Sequence, residues 1–399
     1  MRFASRDPAR LVVLHVAGTI SDVKRLPPLI GAMALLAIPA ALLGAGAPPE
    51  PHATAWLLAD GATGEILAQH DIDTRRPMAS TTKMMTALVA MESGDLDRMV
   101  TVPPAAVAVG ESSAGLKAGE QIPLRNLLRG LLVGSGNDAA VAIAYGVAGS
   151  ESAFVDLMNQ KAKEMGLTNT HFVNPHGLDA AGHYASARDL LTMGEAVMKQ
   201  PFLRAIVGNR SITVPGPDGP RRLTSENDLL SVLPAADGVK TGHTNHAGYV
   251  EVAHATDPVT GVGLFAVVMG DANRAQRAAD EKALLTWGFS NYAKPTVLQK
   301  GTAVVRVPVQ GAPGTEVPLV AALPVSATVR VGKPIRVRIT APSQLVAPLA
   351  AGARTGTVEV LQDNAVVARR PLVVGTTVVS PGLMDGVRSA FEGIGSVFT

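Results

Sequence analysis

The sequence predicts an α+β protein: an antiparallel sheet packed by helices, with a helical subdomain, followed by a small β-sandwich. Three observations carry this. Strand-like stretches come first, then a long helical middle, then strands and a helix, which is the order of a sheet with its helices gathered to one side. Beyond about residue 298 the pattern changes to short alternating strands broken by Gly and Pro. With 399 residues, 47% of them apolar, the chain can form two or three domains with sizeable cores.

Residues 1–47 read as a signal peptide or N-terminal anchor. Lys24-Arg25 precede an apolar run from Leu29 to Leu43, and Ala45-Gly46-Ala47 fits a small-x-small cleavage site. The chain is therefore expected to be exported. Trp56 to Ala59 and Glu65 to Ala68 flank the turn-rich Asp60 to Gly64, a hairpin signal. A helix opens near Ser80, continues through Met84, Met85, Leu88, Val89 and Met91, and stops at Gly94. Leu127, Leu128, Leu131 and Leu132 recur at helical spacing, and Ala139 to Ala148 and Ser152 to Met165 read as helices. Val239 to Ala255 and Gly261 to Met269 read as strands, and Arg274 to Phe289 as a long helix. A first domain over 53–293 is expected, with a linker at Ala293-Lys294-Pro295-Thr296. The second domain is placed at 298–378, with Gln362-Asp363-Asn364 as a hairpin turn between alternating strands.

The chain has no cysteine, which excludes disulfides, thiol catalysis and Cys-ligated metals. Its formal charge is +2, but residues 48–399 hold 30 Lys and Arg against 31 Asp and Glu. That balance gives no electrostatic case for nucleic acid. No His, Asp and Glu cluster has metal-ligand spacing, so neither a metal nor another cofactor is expected.

The chemistry centres on Ser80-Thr81-Thr82-Lys83. Residues i and i+3 share a helical face, so Ser80 and Lys83 point the same way. A helix N-terminus adds unpaired N–H groups and partial positive charge. Two further stretches complete a set: Ser135-Gly136-Asn137-Asp138 and Lys240-Thr241-Gly242-His243-Thr244. A trio of this kind marks β-lactamases and penicillin-binding proteins. The flanks extend the likeness, with Leu58 to Gly64 as a first hairpin, Phe172-Val173-Asn174-Pro175-His176-Gly177-Leu178 with His183 and Asp189, and Ala247-Gly248-Tyr249. From about Ala53 to Tyr292 the chain resembles the low-molecular-mass penicillin-binding proteins that act as serine-type D-alanyl-D-alanine carboxypeptidases.

The resemblance implies a β-lactamase/transpeptidase-like domain, and a substrate that is a peptidoglycan pentapeptide stem ending in D-Ala-D-Ala. It also implies acylation by β-lactams and a part in cell-wall biosynthesis and remodelling. Ser80 is the expected nucleophile and Lys83 the base. A free lysine titrates near ~10.4, so a neutral amine at pH 7 needs a depression of about three units, or about 4 kcal/mol. Burial and the nearby Lys240 cation are the expected causes. Ser135 is expected to pass a proton to the leaving amine, and Asn137 to hold Lys83 and a substrate carbonyl. Lys240 and Thr241, on an edge strand, would bind the terminal carboxylate. Gly242 would let a peptide lie along that strand. The resemblance puts the oxyanion between the N–H groups of Ser80 and His243, and Arg277 near the carboxylate pocket. The His243 ring is a candidate positioning group, while His176 and His183 read as structural.

Three alternatives share parts of this pattern. A D,D-endopeptidase on cross-links uses the same chemistry. A class A-like β-lactamase needs a glutamate for deacylation, and the nearest stretch, Glu164 to Asn169, lacks the spacing. A non-catalytic envelope protein is disfavoured by the intact trio. At the C-terminus, residues 382–399 form an amphipathic pattern. Leu383, Met384, Val387, Ala390, Phe391, Ile394, Val397 and Phe398 fall within about 140° of a helical wheel. The expectation is a membrane foot at the outer face of the cytoplasmic membrane. The same face docked on the β domain is the alternative.

Overall fold

The computed structural model describes residues 46–379 and the two-residue strand Leu11–Val12. Apart from Leu11–Val12, the expected signal segment up to residue 45 lies outside the described residues, as does the expected foot at 382–399. Two compact units are found, one formed by residues 46–290 and the other containing residues 291–379.

In the first unit, β1 (Ala55–Asp60) and β2 (Ile66–His70) form the expected hairpin. Asp60 builds its turn, because Oδ1 accepts from the N–H groups of Ala62 and Thr63 and from the Thr63 hydroxyl. Then come α1 (Lys83–Glu92), α2 (Leu124–Leu132), α3 (Asn137–Ala148), α4 (Glu151–Glu164) and α5 (Ala187–Lys199). The chain returns to the sheet through β3 (Ala236–Thr244), β4 (Gly248–Thr256) and β5 (Gly263–Asp271) and closes with α6 (Arg274–Asn291). The sheet is antiparallel throughout, in the order β2-β1-β5-β4-β3. The stretch from Val239 to Ala255 is thus a hairpin rather than one strand, turning at Asn245 to Ala247 where Gly248 has φ +64. β3 is the edge strand expected for Lys240-Thr241-Gly242.

Helix α1 is the axis of this unit. Its residues from Lys83 to Ala90 are all buried, because α2, α3, α4 and α5 pack around it. A helix buried on every side shows no clear apolar stripe, only a run of Met, Ala, Leu and Val. Glycine lets α5 meet the sheet: a Cβ at Gly194 would stand 2.6 Å from Val252.

The second unit is built on β6 (Ala303–Pro308), β7 (Glu316–Ala321), β8 (Ile335–Thr340), β9 (Arg354–Gln362) and β10 (Ala365–Val374). Their antiparallel order is β8-β9-β10-β7-β6, with Leu11–Val12 paired to the outer side of β8. Asp363 and Asn364, at φ 49 and 69, make the two-residue turn between β9 and β10. The second layer consists of short ribbons. Tyr292–Ala293 pairs with Val329–Arg330, and Thr296–Leu298 with Val325–Ser326. Leu298, Val325 and Val329 join Val358, Val360 and Leu372 in one core. The stretch read as a linker is therefore paired structure. Lys294-Pro295 interrupts the alternation that would have shown it in the sequence.

Candidate active site

Ser80 lies in a 3-10 turn, Ala79–Thr82, that leads directly into α1. Ala79 is held at φ +49, a left-handed conformation that a residue with a Cβ adopts only when its surroundings impose it. Two glycines impose it. A Cβ at Gly177 would stand 2.0 Å from the Ala79 carbonyl oxygen, and one at Gly242 would stand 2.8 Å from the Ser80 nitrogen. Gly242 is thus needed for the packing of β3 on the serine turn, a reason the sequence did not show. His183 braces the turn from another side. Its Nδ1 accepts from the Val173 N–H at 3.0 Å, so Nε2 carries the hydrogen and donates to Thr82 Oγ1 at 2.8 Å. Burial holds this imidazole down at about 4 and His176 at about 3, and both stay neutral.

Lys83 is 0% exposed. Its Nζ is 2.8 Å from Ser80 Oγ, 2.7 Å from Asn137 Oδ1 and 2.7 Å from the His176 carbonyl oxygen. Burial, and then the charge of Lys240, push this amine well below the usual lysine range. A neutral amine has two N–H donors and one lone pair. The two carbonyl oxygens can only accept, which leaves the lone pair for the Ser80 hydroxyl. The structure thus brings the expected nucleophile and base together in a reactive arrangement.

The second motif sits at the start of α3. Ser135 has φ +53. Asn137 accepts from Lys83 and gives one N–H to the Gly110 carbonyl at 3.1 Å. Asp138 pins the facing loop, accepting from the N–H groups of Ala114 and Leu116 and from the Ser113 hydroxyl. Ser135 Oγ is held by Lys240, at 3.0 Å, rather than by Lys83. Lys240 is 3% exposed and also donates to the Thr241 carbonyl. Burial lowers its ammonium to about 8, with Arg277 adding to the depression.

Thr241 pairs across the strands with Glu251. Arg277 is buried there, with Nε 3.0 Å from Glu251 and Nη2 donating to the Glu226 carbonyl at 3.0 Å. It approaches the carboxylate end of the site through Glu251. Burial raises both Glu251 and its neighbour Glu281, and Asp228 lies 3.9 Å from the same guanidinium. The exposed His243 ring stacks on Tyr249 at 4.1 Å. His243, Thr244 and Asn245 also line a cleft of about 450 Å³ with Glu111, Leu178 and Asp179. Asp179 accepts from the Thr244 hydroxyl at 2.7 Å. Glu164 ends α4, where Gln160 and Lys161 hold it.

Sequence reasoning missed the His176 carbonyl, Glu251 and Asp179, and named Tyr249 without giving it a role. The stretch from Asn174 to Asp179 could have signalled two of them, because a motif of that length between helices already suggested a built loop.

The sequence profile of D-alanyl-D-alanine carboxypeptidases matches residues 44–273. The chain belongs to this family. The profile of the C-terminal domain of penicillin-binding protein 5 matches residues 292–380. The D-alanyl-D-alanine carboxypeptidase DacA of Escherichia coli is 37% identical over 341 residues, covering 82% of this chain and 83% of that protein. DacC of the same organism is 36% identical over 358 residues, covering 85% and 87%. The crystal structure of penicillin binding protein 5 from Haemophilus influenzae superposes with a TM-score of 0.70 at 33% identity, covering 84% of this chain and all of that one. Penicillin binding protein 6B from Escherichia coli gives 0.64 at 33%, covering 82% and 97%.

Two expectations follow for this family member. As pH rises through about 8, Lys240 loses its charge, so kcat/KM for a carboxylate-terminated peptide falls. Lys240→Arg removes that alkaline limb, because guanidinium stays charged; a pH–rate profile of both proteins checks it. Gly242→Ala displaces the Ser80 backbone and slows acylation by about a hundredfold with the fold intact. Stopped-flow acylation together with circular dichroism checks this.

Proposed function

We infer that this protein is a serine D-alanyl-D-alanine carboxypeptidase that removes the terminal D-alanine from peptidoglycan pentapeptide stems through an acyl-enzyme at Ser80. The observation that carries the mechanism is the buried Lys83 amine, 2.8 Å from Ser80 Oγ with its other partners both acceptors. Lys83 takes the Ser80 proton as Oγ attacks the carbonyl carbon of the penultimate D-alanine. The oxyanion forms against the N–H groups of Ser80 and His243. Collapse breaks the C–N bond, and the proton held by Lys83 returns to the leaving nitrogen with Ser135 as the hydroxyl on that wall of the cleft. Free D-alanine departs. Water then attacks the ester, with Lys83 again as base.

Lys240 and Thr241 bind the terminal carboxylate, and Glu251 and Arg277 fix that end of the strand from behind. With the carboxylate at 241 and the oxyanion at 243, the acyl part of the stem runs toward the cleft of Glu111 and Asp179. A β-lactam presents a similar amide and carboxylate, and so acylates the same serine.

We place the enzyme outside the cytoplasmic membrane, peripherally anchored. The apolar run Leu29–Leu43 behind Lys24-Arg25 and the amphipathic pattern at 382–399 support this reading.

Peptide mass spectrometry after penicillin treatment should find the adduct on Ser80, and Lys83→Arg should lose acylation almost completely while circular dichroism still shows the folded chain. An adduct elsewhere, or near-normal acylation of that variant, would remove these residues from the mechanism. Deleting residues 382–399 should release active enzyme from the membrane fraction. Unchanged retention would move the anchor to the N-terminal segment.

A further inference from the structure

The charge of the chain is divided unevenly. Residues 46–290 hold 19 Lys and Arg against 26 Asp and Glu, a net charge of −7. Residues 291–379 hold ten against three, a net charge of +7. Such a difference between segments points to a polyanionic partner for the basic one.

Strand register places these cations. Ile339 pairs with Val358 and Val337 with Val360, on the side of the sheet that packs in the core. Arg338 pairs with Glu359 and Glu359 with Arg369, on the opposite side, and Arg336 precedes Arg338 by two. Likewise Val307 pairs with Val317 inside, which puts Arg306, opposite Pro318, outside. Arg354 pairs with Val373, next to the buried Leu372 and Val374, and is also outside. Five arginines therefore share one sheet face with two carboxylates, Glu316 and Glu359. Glu359 is 6% exposed and already lies between Arg338, at 3.2 Å, and Arg369. Arg306 and Arg336 have no carboxylate partner among the described residues.

These cations occupy β8, β9, β10 and β6. Adjacent strands lie roughly 4.8 Å apart, so the array is about 19 Å wide. A broad array on a sheet suits a planar anionic surface better than a single polymer strand. Guanidinium groups bind phosphate with paired hydrogen bonds.

We propose that the outer face of this C-terminal sheet docks on an anionic lipid bilayer through its headgroup phosphates. The choice of lipid rests on the membrane reading of the chain ends; the charge array does not. The tail pattern at 382–399 has a single cation, Arg388, and could supply apolar insertion but little charge. Stable peripheral attachment takes two weak signals, and the sheet face supplies the electrostatic one.

The test is full-chain binding to vesicles of phosphatidylcholine with and without phosphatidylglycerol, at low and high salt. Arg306→Ser with Arg336→Ser should weaken binding to the anionic vesicles about thirtyfold. The same charge loss at Lys163 and Lys282 should have no effect. Binding to phosphatidylcholine alone and D-alanine release from a soluble peptide should be unchanged in both. Deleting 382–399 should remove the salt-resistant part of binding and leave the salt-sensitive part, which separates failure of the tail reading from failure of this one. Wild-type binding of the arginine variant to anionic vesicles would overturn the proposal. So would an equal loss on phosphatidylcholine, loss of all salt-sensitive binding with the tail, or a defect confined to soluble polyphosphate.

Discussion

Everything in the catalytic unit depends on keeping one amine buried and uncharged beside a hydroxyl. Burial and the charge of Lys240 push Lys83 down, and two fixed carbonyl acceptors, Asn137 Oδ1 and the His176 backbone oxygen, orient it. Each acceptor comes from a different part of the chain. Asn137 opens α3 and is anchored through Gly110, while His176 belongs to a loop that also supplies Gly177 beneath the serine turn. A misplaced acceptor would leave a buried N–H without a partner, which costs more than the bond itself contributes. The helices around α1 therefore fix the direction of one lone pair.

The same logic accounts for the polar residues that do no chemistry. His183 and Thr82 hold the back of the serine turn, and Asp138 holds the loop opposite it. Burial raises both Glu251 and Glu281 behind β3, which reduces the negative charge set against Arg277. Lys240 is lowered to about 8 by burial, against the opposing charges of Glu226 and Glu251. It still carries its charge at neutral pH and can meet a carboxylate, while its field lowers Lys83. Lys83 is pushed down furthest, because it is fully buried and adjoins the charge of Lys240.

Among its described residues, the C-terminal unit buries few polar groups, chiefly Glu359 and Gln362. Its core is apolar and its charge is spread over a sheet face and its rim. The formal charge of the body, averaged over both units, is close to zero and hides this division. Where the charge lies, and on which face, bears on binding more than its sum does.

The sequence by itself determined the family, the order of elements and the main chemical groups. Ser80-x-x-Lys83 needs only helical periodicity to bring its side chains together, and the trio with Ser135-Gly136-Asn137 and Lys240-Thr241-Gly242 specifies acyl transfer. Short strands and local turns such as Asp363-Asn364 were legible for the same reason, since their signals span few residues. Tertiary structure alone decided the rest. Ser135 is held by Lys240, across 105 residues, and not by Lys83. The His176 contribution is a backbone oxygen, which no residue type advertises. Gly242 is required by its approach to Ser80, and Arg277 stands behind the strand, paired with Glu251. Hydrogen bonds, desolvation and close packing depend on distances between segments remote in sequence, and periodicity carries no information about those distances.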